Sequence, residues 1–449
     1  MSPVPGRSIL ITRAPRSARR IAATGPARNW LKSSTRIPSS GRSIGADTVG
    51  APLSSVIASQ PSLVLVNNRL IMLVWRKNER KGNGSLHRLP NGIRTGLNPC
   101  ARQSQRSAPV LSVSYVGEQR LEVKEYEPKP PAAGEVQIAV AYNGLCGTDM
   151  HILHGNMDAR VQMPLTFGHE MSGTISALGN GVDSWNVGDH VTVMPLWWDN
   201  TCPACLAGNQ HICQNLDFIG IDSPGALQGR WNVPAETLVA LPPELRLDHA
   251  ALVEPAAVAV HDVRRSGLVP GDKAVIIGGG PIGVLIASVA REFGAAVVVI
   301  EIDAGRRAQI EALGFTTISP LEVDQVAWVN EWTADAGADV VFEVSGAAAA
   351  VLGATDLAKV RGTLVVVAIH PTPREINLQR VFWRELTIMG ARVYQRTDFE
   401  RAIELINEGV IPADLLITRI VPLSQTSEAF ADLAAGKAMK ILVDVAGQK

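Results

Sequence analysis

Three short segments carry side chains of the kind that bind a transition metal. Cys146 lies in Gly144-Leu-Cys-Gly-Thr-Asp149, His169 and Glu170 in Phe167-Gly-His-Glu170, and Glu254 in Leu252-Val-Glu-Pro255. Thiolate, imidazole and carboxylate are the donors zinc takes, and a catalytic zinc keeps one position open for water or substrate. Each residue alone has an ordinary reading. Cys146 could be a small buried hydrophobe, His169 a core histidine with satisfied hydrogen bonds, and Glu254 an acid opening a helix beside Pro255. A second group, Cys202, Cys205 and Cys213, sits in a loop containing Pro203 and Gly208. With Cys100 the chain has five cysteines. An odd number does not suit a disulfide framework, and a clustered trio suits metal ligation better.

A third constellation is Gly278-Gly-Gly-Pro-Ile-Gly283, which fits G-x-G-x-x-G. Among 40 glycines the motif is weak by itself. It gains meaning from its place, after an apolar strand and at the start of a helix. There Gly278 makes the tight turn, Gly280 lets backbone approach a pyrophosphate, and Gly283 permits close helix–strand packing. Pro281 and Ile282 open the helix, whose N-terminus faces the anion. Glu301, 18 residues after Gly283, ends the next strand. A carboxylate there accepts ribose hydroxyls and repels a 2′-phosphate, which favours NAD over NADP. Arg306 and Arg307 stand close enough in sequence to neutralise such a phosphate.

The elements that must position these residues fall into two kinds. Short β-like runs with Gly/Pro punctuation fill the first part: Val136–Tyr142, Gly173–Ala177, His190–Met194 and Thr237–Ala240. They imply a barrel-like β domain. After Gly267, strands alternate with helices: Lys273–Ile277, Pro281–Phe293, Ala296–Ile300, Arg306–Leu313, Asp339–Glu343 and Thr363–Ala368. That alternation implies a doubly wound parallel sheet. A helix at Phe399–Glu408 and a strand at Lys440–Val445 should return to the β domain. The expected division is a basic extension over 1–108, a β domain over 109–263 completed by 399–449, and a dinucleotide domain over 264–398.

Charge separates the extension from the rest. Residues 1–108 hold 18 Lys and Arg against Asp47 and Glu79, whereas the remainder holds 24 basic and 40 acidic residues. The extension is rich in Arg, Ser, Pro and Gly and should be mostly disordered. Its first 45 residues resemble an organelle transit peptide in composition, though a mis-chosen start codon or a dispensable tail is the favoured reading. The acidic remainder excludes a nucleic-acid partner, since phosphate binding needs a basic footprint. No apolar run reaches the roughly 20 residues of a membrane span, so neither a membrane partner nor a membrane location is expected. A cytoplasmic enzyme is, with organelle targeting as the alternative.

Taken in order, these motifs resemble the zinc-containing branch of the medium-chain dehydrogenase/reductase superfamily over residues 110–449, most of all its butanediol, sorbitol and threonine dehydrogenases. The resemblance implies an α/β protein, with a GroES-like β domain, a Rossmann domain and an active site in the cleft between them. Cys146, His169 and Glu170 match its zinc-binding positions, and Glu254 the acid that binds the zinc or its water. Which of Glu170 and Glu254 is bound directly stays open. Thr148 matches a hydroxyl that contacts substrate oxygen, and His151 a histidine that passes the proton to solvent. The family's structural zinc lobe has four cysteines spaced C-x-x-C-x-x-C-x(7)-C. Here Cys202, Cys205 and Cys213 match, while Asp199 stands in the first position, and carboxylate oxygen also binds zinc.

The implied reaction is oxidation of a small secondary alcohol to a ketone, with hydride passed to NAD. Phe382-Trp-Arg-Glu385 and Gly390-Ala-Arg-Val-Tyr394 resemble the butanediol enzymes and tilt the substrate towards a vicinal diol such as 2,3-butanediol. Polyols and threonine stay open. Trp197, Trp198 and Phe218 could line a pocket or simply pack. A zinc-free alkene reductase is disfavoured by the intact Cys146, His169 and Glu170, and a non-catalytic binding protein by Thr148 and His151. The resemblance also implies a homodimer or homotetramer.

Overall fold

A computed structural model describes residues 63–66, 69–72 and 110–447. The chain divides into two units, Met1–Cys100 and Ala101–Lys449. In the first, Leu63–Val66 pairs antiparallel with Arg69–Met72. Apart from these strands, the expectation of disorder over 1–108 falls outside the described residues.

The second unit opens with β1 (Val110–Tyr115), β2 (Leu121–Tyr126) and the long β3 (Glu135–Gly144). In β3 alternate residues Val136, Ile138 and Val140 are buried, as expected of a strand with one face on a core. A short helix α1 (Gly147–Leu153) follows, then β4 (Glu170–Leu178), β5 (His190–Val193), β6 (Arg230–Pro234) and β7 (Leu238–Ala240). Helix α2 (Val253–Ser266) leads out of this region. It is buried on nearly all sides, so its small residues Ala256, Ala257 and Ala259 suit close packing.

The alternating part runs β8 (Lys273–Ile277), α3 (Pro281–Glu292), β9 (Ala296–Ile300), α4 (Ala304–Ala312), β10 (Thr316–Ile318), β11 (Ala338–Glu343), β12 (Ala358–Val366) and β13 (Thr387–Gly390). These strands form one parallel sheet in the order β10-β9-β8-β11-β12-β13. The order reverses between β8 and β11, and ligands of open α/β sheets bind at that point, beyond the carboxyl ends of the strands.

Helix α5 (Arg396–Asn407), β14 (Ile417–Pro422) and β15 (Lys440–Asp444) complete the chain. Strand β15 pairs with the end of β3, Leu442 facing Gly144. The mixed sheet therefore runs β7-β5-β4-β3-β15-β14, with β6 also on β3. Helix α5 is pinned to α2 by a polar hub. Asp398, 1% exposed, accepts from Arg264 Nε at 2.8 Å and Nη2 at 3.0 Å and lies 3.0 Å from His261 Nδ1.

Several element limits differ from the sequence expectation, β4 for instance starting at Glu170 rather than Gly173, and three early starts have a local cause. Strand β12 starts at Ala358 rather than Thr363. Its first half holds Lys359, Arg361 and Gly362, with Arg361 at φ +61°, so the polar, kinked start hides the strand. Helix α4 starts at Ala304 rather than Arg306, because Asp303 caps it by accepting from the Arg306 N–H at 2.7 Å. Helix α5 starts at Arg396 rather than Phe399, where Gln395 and Asp398 form a capping box. No helix among the described residues is long and apolar enough to cross a membrane.

Candidate active site

The end of β3 turns directly into α1, and Cys146 caps that helix. Its N–H donates to Asp149 Oδ2 at 3.0 Å, which fixes the turn. Strand β4 begins beside the same turn, since Glu170 pairs with Gly144. A side chain at Gly144 would collide with the Glu170 carboxylate. Gly168, at φ +102°, is similarly crowded by the Asn143 side chain. Two glycines thus let the two strand ends close on each other. The result gathers one ligand atom each from Cys146, His169 and Glu170, all within 4.8 Å of one another.

Around this trio the charges are buried. Asp149 Oδ1 lies 3.5 Å from His169 Nδ1, and neither atom has a hydrogen-bond partner among the described residues. Burial pushes the Asp149 carboxyl up to about 6, against the pull of His169 and the Cys146 N–H. Burial opposes charge on His169 as well, yet Asp149, Cys146 and Glu254 together hold the ring well above its ordinary range. The Phe218 ring stands edge-on to His169 with centroids 5.2 Å apart. Trp197, by contrast, is exposed.

Glu254 arrives from the first turn of α2. It lies outside the 4.8 Å group but accepts a hydrogen bond from the buried Tyr394 hydroxyl at 2.8 Å. Burial raises its carboxyl and nearby Glu170 adds to the effect, while His169 pulls it down. The Lys440 ammonium pairs with Glu170 and donates to Leu145 O at 3.0 Å. Burial alone would lower its pKa; Glu170, Cys146 and Glu254 hold it above the usual lysine range. One ammonium and one imidazole therefore face three buried carboxyl groups and a thiol. A sulfur, a nitrogen and an oxygen converging in a cluster with unpartnered polar atoms fit a divalent metal, and zinc in particular.

The second cluster holds Asp199, Cys202, Cys205 and Cys213, again with ligand atoms within 4.8 Å. All three cysteines are free thiols. Backbone N–H groups of Gln214 and Cys205 point at Cys202 Sγ, at 3.4 and 3.5 Å, and hold that thiol below its ordinary range. The N–H groups of Cys202 and Thr201 and the Asn215 amide keep Asp199 ionised well below the usual carboxylate range. Buried sulfurs collected round such donors fit a structural metal.

At the carboxyl end of β8, Gly278 takes φ +108°, and any side chain there would press on the Ser345 backbone. Gly283 abuts Gly278 O, whereas Gly280 has nothing within 4 Å of an added Cβ. Open space at Gly280, next to the α3 N-terminus where Pro281 and Ile282 sit, suits approach of a phosphate. Glu301 is 6% exposed and accepts from Gly279 N–H and Asp303 N–H, both at 2.9 Å. It therefore braces the glycine loop as well as placing negative charge beside it. Arg306 Nη1 stands 3.5 Å from Glu301. Arg307 is engaged by Glu301 O, Ile302 O and Glu322, so it is not free to meet a phosphate.

Thr148 and His151 both lie on α1, half-buried, with His151 Nδ1 3.3 Å from the Asn156 amide. Sequence reasoning passed over Asp149, Lys440 and Tyr394 as site residues. Asp149 stood in the motif but read as part of its frame. Lys440 lay in a stretch read only as strand, where a lysine among Ile441, Leu442 and Val443 was the available signal.

Comparison with known proteins agrees with this architecture. Residues 132–243 match the alcohol dehydrogenase GroES-like domain family and residues 281–408 the zinc-binding dehydrogenase family. A 2-dehydro-3-deoxy-L-galactonate 5-dehydrogenase of Pseudoalteromonas atlantica is 49% identical over 336 residues, covering 75% of this chain and 98% of that protein. The crystal structure of 2R,3R-butanediol dehydrogenase from Bacillus subtilis aligns with TM-score 0.69 and 30% identity, over 75% of this chain and 99% of that one. A zinc-binding dehydrogenase structure from Sinorhizobium meliloti 1021, bound to NADP, aligns with TM-score 0.71 and 30% identity, over 75% of this chain and 100% of that one.

Proposed function

From a chain that belongs to the zinc-dependent medium-chain dehydrogenase/reductase superfamily, we propose oxidation of a secondary hydroxyl in a vicinal diol unit to a ketone, with NAD as acceptor. The convergence of Cys146, His169 and Glu170 within 4.8 Å, on a chain that also has a dinucleotide fold, carries this reading. These residues would hold the catalytic metal, with Glu254 as the alternate carboxylate. Asp199, Cys202, Cys205 and Cys213 would hold a structural one. When bound, zinc supplies Lewis acidity to the substrate oxygen and the dinucleotide supplies the hydride acceptor.

The chain's own groups do the rest. Asp149 sets a carboxyl charge beside the His169 ring, and the Tyr394 hydroxyl fixes Glu254. Lys440 offsets the charge of Glu170. The Thr148 hydroxyl would contact the substrate oxygen and take its proton while giving up its own, and His151 would carry the released proton to solvent. His151→Gln should therefore shift the pH–rate profile; an unchanged profile would exclude the relay.

Among vicinal diols, the 49% identical relative favours a sugar acid. The second reading, 2,3-butanediol, is supported by the likeness to the B. subtilis structure. NADH formation on 2-dehydro-3-deoxy-L-galactonate, the butanediol stereoisomers, sorbitol and threonine tests both. Activity confined to threonine, or to none of the panel, would reject them.

NAD is favoured over NADP by the Glu301 carboxylate beside the glycine loop. Glu301→Gln keeps an acceptor for one backbone N–H but removes the charge. It should move the NADP/NAD ratio of kcat/KM towards NADP by about tenfold or more, because like charges brought together cost several kcal/mol. A wild-type preference for NADP would contradict this choice.

A homodimer or homotetramer is supported by β13, a sheet-edge strand, and by Phe382 and Trp383 just before it, 73% and 72% exposed. Trp383→Glu should release monomer in light scattering; an unaltered mass would place the interface elsewhere.

A further inference from the structure

Strand β11 ends at Glu343, in the middle of the dinucleotide sheet. In register it faces Ile277, the residue before the glycine turn, on one side and Val366, the last residue of β12, on the other. The strand order reverses here, and a dinucleotide crosses such a point from one half of the sheet to the other. The glycine loop at the end of β8 belongs to the adenylate half. The ends of β11 and β12 therefore belong to the nicotinamide half.

The two oxygens of the Glu343 carboxylate differ. Oε1 accepts from the Ser345 hydroxyl at 2.7 Å and from the Ser345 and Gly346 N–H groups at 3.0 and 2.9 Å, which shapes the turn after β11. That turn lies against the glycine loop, because a side chain at Gly278 would meet the Ser345 backbone at 3.0 Å. Oε2 has no hydrogen bond among the described residues, although Glu343 is 1% exposed. A buried carboxylate oxygen without a donor is costly. Its one ion-pair partner among the described residues is His370, whose Nε2 stands 3.2 Å away. The ring is not aligned for a hydrogen bond, and its two nitrogens are likewise buried without partners among the described residues.

His370 belongs to the turn after β12. The start of that turn is joined to Glu343 by backbone, since the Val367 and Ala368 N–H groups both donate to Glu343 O, at 2.9 and 3.1 Å. The two turns also lie side by side, with a methyl group added at Gly346 3.6 Å from the Ala368 Cβ and 3.8 Å from Ile369 O. Among the described residues no backbone hydrogen bond reaches back from Ile369 or His370. Pro371 and Pro373 follow and stiffen the chain without adding donors. The His370 side chain is thus the next link between the turns.

Resting on the dinucleotide reading above, we propose that His370 is a positioning residue for the nicotinamide half of the cofactor. By pairing with Glu343 it ties the turn after β12 to the turn that abuts the glycine loop, and so fixes the spacing between them. The adenylate half, held at Gly278–Gly283 and Glu301, is independent of this tie.

The test measures binding of NADH, by nicotinamide fluorescence, and of ADP, by calorimetry, to wild type, His370→Ala and His370→Gln. His370→Ala should raise the Kd for NADH by roughly 5- to 20-fold, as when a charged group loses its hydrogen-bonding partner, and leave that for ADP within about twofold. His370→Gln keeps an N–H donor and should recover part of the NADH affinity. Equal losses on both ligands would make the effect a general one on the fold and overturn the positioning role. An unchanged Kd for NADH in His370→Ala would overturn it too, and either result leaves the dinucleotide reading intact. Wild type that binds neither ligand would reject the dinucleotide reading, and the role of His370 with it.

Discussion

Cys146→Ala should reduce kcat/KM for alcohol oxidation by roughly a thousandfold or more, with the fold retained. The thiol is one of three donors in the candidate catalytic cluster, and polarisation of the substrate oxygen there is worth several kcal/mol, each 1.36 kcal/mol being tenfold in rate. Cys146 is only half-buried at the mouth of α1, and the turn it occupies is held by its backbone N–H to Asp149, which alanine preserves. Circular dichroism and thermal unfolding should therefore change little. Metal analysis should show loss of zinc from this site while the Asp199 and cysteine cluster keeps its own. A variant with near wild-type turnover would remove Cys146 from the chemistry.

Lys440→Met should destabilise the metal-free protein by about 3–5 kcal/mol, the usual result of stripping one partner from a buried ion pair. Lys440 is 3% exposed and Glu170 1%, so the stranded carboxylate has no route to water. The ammonium also caps Leu145 O next to Cys146. Urea unfolding measures the loss, and Lys440→Met with Glu170→Gln should recover a large part of it, since the double change removes both charges. A loss below about 1 kcal/mol would mean that Glu170 finds another partner or is neutral.

Much of this was legible in the chain itself because its chemistry is local. The glycine turn at Gly278–Gly283, the strand before it and the helix after it are neighbours in sequence, so spacing alone predicts their geometry. The Asp199, Cys202, Cys205 and Cys213 lobe is equally compact. Cys146, His169 and Glu254 are far apart in sequence, and their convergence depends on pairing β3 with β4 and on the entry of α2, which no periodicity reveals. Lys440 and Tyr394 lay beyond reach for the same reason. Each comes from a late segment that folds back, and one buried lysine in a strand of Ile441, Leu442 and Val443 gains meaning only when β15 is set against β3. The unexpected early starts of α4 and α5 came from caps, at Asp303 and Gln395, that outweighed the Gly305 and Arg396–Asp398 stretches.

The most direct measurement is NADH formation on the preferred diol before and after thorough removal of zinc by a chelator, with metal content followed throughout. Turnover should fall with the catalytic zinc and return when zinc is added back. Undiminished turnover in protein shown to be metal-free would contradict a zinc-dependent mechanism at Cys146, His169 and Glu170.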